Sequence, residues 1–404
     1  MLYCGERSHL TFRYKSKALE RLSVRSWINA KNWSTVIGGT WLDDRVLAVM
    51  DEVAKTFVDM YELISKVDER ISELCHVEEA HISTGSGACM GLAVAGCMAG
   101  TNYSRWMRLP HTEGMRNEVV MARGHNIAYT PQWTASGARV VEYGQAGALG
   151  PFTREIEAAI GEDTCCVAHT LSYNVVPRGV IPLGSVVEAA HGHDLSVVVD
   201  AASMLPPVEN LHKFVDEGAD IVIFSGGKAI RAPNNTGMML GNGRGAEIIR
   251  AVREHSFPNS GWGRGFKVSK EQIMGFVTAL EIFVEEGDSF YAEQMRVVES
   301  IAEELRGLPG IEVRILPNDE SFHEHVYYPH VPRVLLEWDP KLGFTGVDVD
   351  EAMAKEDPPI FLRSGKYFNY FTNMEWRQVD SYYLRDGEWQ IVAQRLRRVL
   401  EEFT

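Results

Sequence analysis

Between about residue 80 and residue 225 the chain alternates strand-like and helix-like stretches, and no other feature constrains its fold as strongly. Val119–Met121, Arg139–Glu142, Cys165–Thr170, Leu195–Val199 and Ala219–Phe224 are short apolar runs bounded by turn residues. Such runs suit buried strands. Residues 153–161 read as a helix, and residues 177–194 as a turn followed by a helix. Repeated alternation of this kind is the pattern of a parallel sheet covered on both faces. The chain is therefore expected to be an α/β protein.

Two of these runs end in polar positions. The first reaches Asp200, and the second passes through Ser225, Gly226 and Gly227 into Lys228. The stretch between them is long enough for one crossover connection. In a parallel sheet, Asp200 and Lys228 would then lie side by side at the carboxyl edge, where α/β sheets bind ligands. A carboxylate and an amine so placed match pyridoxal phosphate chemistry: the lysine forms a Schiff base and the acid pairs with the pyridinium nitrogen. The same pair on an open surface would be an ion pair of little energetic value.

Other candidates accompany this pair. Residues 81–100 read HISTGSGACMGLAVAGCMAG, a polar glycine-bearing turn feeding a run of small apolar residues. Ser86, Gly87 and Ala88 would open a helix whose unpaired backbone N–H groups favour phosphate, or simply form an ordinary N-cap. His125 falls in the loop after the strand at 119–121. Arg264 and Lys267 sit in a glycine-rich loop that opens a long helix, and are either anion-binding or solvated. The dinucleotide fingerprint GxGxxG and the Walker sequence are both missing.

Residues 28–42 read as a loop-rich arm without regular structure, and helical spacing begins at Asp43 or Asp44. Helical spacing continues to about Leu308, after which a small α+β domain is expected, with Arg363 on a strand entered through two prolines. The expected division is an arm at 1–45, a large domain at 46–290 and a small domain at 291–404. His323, His325 and His330 lack a partner at zinc spacing, so no metal site is expected.

The formal net charge of −15 argues against broad nucleic-acid binding, which needs clustered Lys and Arg. None of the six cysteines forms a CxxC pair, which fits a reducing compartment. No signal peptide or membrane span is expected, and the protein is read as cytoplasmic.

Taken together, the features resemble pyridoxal-phosphate enzymes of the aspartate aminotransferase fold type. GGTWL, HISTGSGA, LPHTEGMRNEVV, VVVDAAS, DIVIFSGGKAIRAPNNTG, GRGFKVSKE and DPPIFLR resemble one branch in particular: selenocysteine synthase and the D-glucosaminate-6-phosphate ammonia-lyase group. The resemblance covers nearly the whole chain. It implies a mostly parallel seven-stranded sheet in the large domain, pyridoxal 5'-phosphate as cofactor and a homodimer or larger homo-oligomer. It implies Lys228, Asp200 and His125 as catalytic residues. Ser86, Gly87, Ala88, His125, Asp200, Ser225 and Lys228 would hold the cofactor, and Arg363, Arg264 and Lys267 a small amino acid substrate. The expected reaction is a lyase elimination releasing ammonia and a 2-oxo acid. Transamination and racemisation are the alternatives, and transfer on an aminoacyl-tRNA is set against the acidic charge. The chain departs from the branch at RAPNNTG, where a Gly-Pro-Gln wording is expected. Trp33, Trp41, Trp106, Trp133 and Trp262 are expected to crowd the loops near the site.

Overall fold

The computed structural model of the protein describes residues 16–144, 153–172, 181–317, 329–363 and 375–404. The described residues begin with a short helix α1 (Lys17–Glu20), a strand β1 (Ile28–Ala30) and helices α2 (Asp44–Ala54) and α3 (Met60–Cys75). Then come β2 (Glu79–Ser83), α4 (Gly85–Ala99), α5 (Tyr103–Arg108), β3 (Glu118–Ala122), α6 (Thr130–Thr134) and β4 (Arg139–Tyr143). The next elements are α7 (Thr153–Ala159), β5 (Thr164–Thr170), α8 (Leu183–His191), β6 (Ser196–Asp200), α9 (Asn210–Asp216) and β7 (Ile221–Ser225). A strand β8 (Gly237–Gly241), a helix α10 (Arg244–Glu254) and the long helix α11 (Lys270–Leu305) follow. The chain closes with β9 (Ile311–Leu316), β10 (Arg333–Trp338), α12 (Gly346–Lys355), β11 (Ile360–Leu362), β12 (Trp376–Asp380) and α13 (Glu388–Phe403). Two compact units result. The larger takes its described residues from 33–291 and 329–330, and the smaller from 16–32, 292–317, 331–363 and 375–404.

The larger unit is built on a seven-stranded sheet of order β2-β8-β7-β6-β5-β3-β4. β8 runs antiparallel to both its neighbours, and the remaining neighbours are parallel. This is the α/β architecture of the aspartate aminotransferase fold. β5 and β6 are buried along their whole length, as expected of strands covered on both faces. α4 is apolar all round and rich in Gly and Ala, and it is buried from Cys89 onward save for Cys97. Burial on every side explains why it shows no polar face. α2 and α3 are amphipathic instead, and begin at Asp43 and Asp59, whose carboxylates accept backbone N–H groups of the first turn.

The smaller unit holds a three-stranded antiparallel sheet, β12-β10-β9, and the parallel pair β1–β11. Val334, Leu336 and Val379 pack with Val392, Leu396 and Leu400 of α13 and with Val298, Ile301 and Leu305 of α11.

Three local readings are corrected. Residues 28–30 form β1, although two of its three residues are Asn29 and Ala30, poor strand formers; its pairing with β11 supplies what propensity does not. β2 and β12 are strands that periodicity did not pick out, because both carry buried polar side chains. In β2, His81 Nδ1 pairs with Asp68 Oδ2 at 2.8 Å. In β12, Arg377 makes two 2.9 Å bonds to Asp350. Trp106 and Trp133, expected to crowd the site, are fully buried in the core against α4 and the sheet. Cys4, His323 and His325 lie outside the described residues.

Candidate active site

Strand register brings the predicted residues to one edge of the sheet. Asp200 is the last residue of β6 and is flanked by Thr170 of β5 and Ile223 of β7. Lys228 follows Ser225, the last residue of β7, by three positions. On the other side of β7, Gly237 is in register with both Ser225 and Ser83, so Ser83, Gly237 and Ser225 form one row. The turn into α4 begins two residues after Ser83, at Gly85. The turn into α4, Ser225, Lys228 and Asp200 therefore share the carboxyl edge.

Asp200 is buried, and its Oδ1 accepts the Ala202 N–H at 3.0 Å. Burial raises its carboxyl above the ordinary range, opposed by the charge of Lys228 and by that hydrogen bond. Burial lowers the Lys228 amine, opposed by Asp200. Each group thus stabilises the charged form of the other. Lowering the amine enlarges the neutral fraction that can act as nucleophile or base.

His125 ends a 3-10 turn after β3 and is buried. Its Nδ1 accepts the Thr170 N–H at 3.1 Å, which places the proton on Nε2. Nε2 is buried and has no hydrogen-bond partner among the described residues. Burial pulls His125 down to about 4, so the ring is neutral. The folded protein resists a proton that the unfolded chain accepts near the ordinary pKa of about 6.5. His125 therefore withdraws stability as pH falls from about 6.5 to about 4 and does not do so above that window. Melting temperature should fall on acidification through this range, and His125→Gln should flatten the decline. An unchanged slope would remove His125 as its source.

The first turn of α4 presents backbone donors with no competitor. Thr84, at the N-cap, makes no side-chain cap, and the first turn carries no acidic residue. The Thr84 hydroxyl donates instead to Asn235 O at 3.2 Å. A Cβ on Gly237 would lie 2.5 Å from Gly85 C and Ser86 N, both backbone atoms that cannot swing aside. Gly237→Ala should therefore push the turn outward, cost about 1–3 kcal/mol of stability and weaken cofactor retention. Thermal unfolding and dialysis of the holoenzyme measure both; retention equal to wild type would mean that the turn does not hold the cofactor.

The departure at RAPNNTG has a packing role. The Asn234 side chain fills the space that a Cβ would need at Gly39 and at Gly227, with Oδ1 2.4 Å from each such position. Asn235 exchanges amide hydrogen bonds with Gln272 of α11.

Arg363 belongs to the smaller unit, where it bridges to Gln378 through backbone bonds of 3.0 and 3.1 Å. Arg264 and Lys267 are exposed in the loop before α11, and the Arg264 guanidinium sits 5.1 Å from the Phe257 ring centre. Two further residues emerge only in the fold. His169 of β5 lies edge-on to His125 at 4.8 Å, fully buried, with neither ring nitrogen hydrogen-bonded among the described residues. Gln132 of α6 packs against Gly87, and its buried Oε1 also lacks a partner. A histidine inside a predicted strand was a visible signal for the first; nothing in the sequence marks the second.

A family model described as aminotransferase class-V matches residues 53–256. D-glucosaminate-6-phosphate ammonia lyase of Salmonella typhimurium is 28% identical over 387 residues, covering 95% of this chain and 97% of that protein. A 5'-C-glycyluridine monooxygenase-decarboxylase of a Streptomyces species is 32% identical over 356 residues, covering 86% and 84%. A solved structure of D-glucosaminate-6-phosphate ammonia-lyase superposes with a TM-score of 0.78 at 25% identity, covering 96% of this chain and 99% of that one.

The cofactor these relatives imply is pyridoxal 5'-phosphate, and the residues present fit it. The uncapped turn at Ser86, Gly87 and Ala88 suits a phosphate. The orphaned Nε2 of His125 awaits an acceptor, and Asp200 and Lys228 supply the acid and the amine.

Proposed function

The chain belongs to the class-V aminotransferase family, and from that premise we propose that it is a lyase acting at Cα of an amino acid or amino sugar acid. It expels a β-substituent and releases ammonia and a 2-oxo acid. The observation that carries this reading is the end-to-end match to an ammonia lyase in both sequence and structure.

Bound pyridoxal 5'-phosphate supplies the electron sink that makes the Cα hydrogen acidic. The chain's own groups do the rest. Ser86, Gly87 and Ala88 would hold the phosphate by backbone N–H groups, helped by Ser225. Asp200 would keep the ring nitrogen protonated. His125, neutral with its proton on Nε2, would offer a donor to the ring. Lys228 takes the Cα proton, its amine already lowered by burial. Arg264 and Lys267 add positive charge from the loop before α11. For a β-hydroxy substrate, one water leaves at the β-carbon and one is consumed in hydrolysis, so the net products are ammonia and the 2-oxo acid. The same reading has the enzyme in the cytoplasm as a homodimer or larger homo-oligomer. Among the described residues no helix is long and apolar enough to cross a membrane.

An amino-acid panel, including amino sugar acids, tests the proposal. Ammonia and a 2-oxo acid should appear in equal amounts without an added keto acid. Strict dependence on a keto acid would replace the proposal with transamination, and Cα deuterium exchange without net product would replace it with racemisation. The 32% identical relative supports a second reading, an oxygen-consuming decarboxylation. Turnover that stops under anaerobic conditions and yields carbon dioxide would select it.

A further inference from the structure

Three residues beyond Lys228 stands Arg231, which no part of the mechanism above uses. Its N–H donates to Lys228 O at 2.8 Å, closing the turn that carries the lysine. Its φ is +59°, a left-handed conformation unusual for a long side chain. Such outliers persist where the surroundings enforce them, often at functional sites. Here two rings fix the side chain. The guanidinium carbon lies 3.9 Å from the centre of the Trp41 ring and 5.2 Å from that of Phe290. Cation–π stacking of this kind holds a guanidinium by its face and leaves its in-plane donors for a ligand.

Those donors are not consumed by the described residues. Nε is buried and has no hydrogen-bond partner. The nearby carboxylates, Asp43 and Glu286, act on Arg231 only at a distance. Both are engaged by Arg45, which reaches Asp43 at 3.0 Å through Nε and Nη2 and Glu286 at 2.6 and 3.1 Å. Arg45 therefore satisfies the two acids, and Arg231 remains a preorganised cation beside the lysine turn. A buried donor without an acceptor is destabilising, a loss that an oxyanion at this position would relieve.

We propose that Arg231, seated on Trp41 and Phe290, is a receptor for an oxyanion of the substrate, a carboxylate or a phosphate, separate from the cofactor's phosphate turn. The inference rests on the enzyme reading above, in that the anion is placed on a substrate approaching Lys228. A point charge would serve less well than a fork, so lysine is a partial substitute only.

Isothermal titration of the holoenzyme tests it, because the cofactor then fills the phosphate turn. The probes are inorganic phosphate and succinate. At least one should bind wild type, and Arg231→Gln should weaken that binding tenfold or more. Arg231→Lys should recover part of the loss, with cofactor absorbance and content unchanged in both variants. Phosphate binding without succinate binding assigns a phosphate to the position, and the converse a carboxylate. Failure of both probes to bind wild type, or equal binding by wild type and Arg231→Gln, overturns the proposal. The lyase reading is scored apart from this. If the panel yields no ammonia while anion binding still needs Arg231, the lyase assignment falls and the receptor stands. If Arg231→Gln releases ammonia with wild-type KM, the receptor falls and the lyase stands.

Discussion

Lys228→Ala is expected to lower ammonia release by about ten-thousandfold or more, the scale of a lost nucleophile and general base. Loss of the amine removes the group that takes the Cα proton. It also removes the positive charge that opposes the upward shift of the buried Asp200 carboxyl. The Asp200 carboxyl should therefore rise further and neutralise over a wider pH range. Circular dichroism and melting temperature, read beside kcat, separate chemistry from folding. A folded variant with soluble amines in the assay should regain part of its rate, since a small amine can reach the vacated position. A folded Lys228→Ala protein with wild-type kcat would end the assignment.

Asp200→Asn is the second large effect, with kcat down about a hundred- to a thousandfold, as for loss of a preorganised electrostatic partner. The substitution keeps shape and deletes charge. Asp200 is also the group that holds the Lys228 amine up against burial. Without it the amine should titrate lower, so the acid limb of the kcat profile should move to lower pH. A purely structural role for Asp200 would reduce stability and leave that limb in place. The pH–rate profile of the residual activity distinguishes the two.

These two residues were legible in the sequence because each follows a short buried strand, and parallel pairing of neighbouring strands leaves little choice about where they meet. The turn into α4 was legible too, because a glycine-bearing stretch precedes an apolar run. What pattern reading could not reach was determined by partners distant in sequence. β2 and β12 are hidden by His81 and Arg377, whose burial is tolerable only because Asp68 and Asp350 satisfy them. Trp106 and Trp133 read as loop aromatics, yet they are buried in the same core cluster as α4. Gln132 meets Gly87, and Arg231 meets Trp41 and Phe290, across tens of residues of chain that no periodicity links. The hydrogen-bonded tautomer of His125 depends on Thr170 of a different strand.

The central claim is that Lys228 carries the cofactor at the edge shared with Asp200. Borohydride reduction of the holoenzyme followed by peptide mass mapping measures it most directly. One reduced pyridoxyl group is expected, on the peptide containing Lys228, and none in Lys228→Ala. A label on any other lysine, or a cofactor-loaded wild-type protein that borohydride leaves unlabelled, would contradict it.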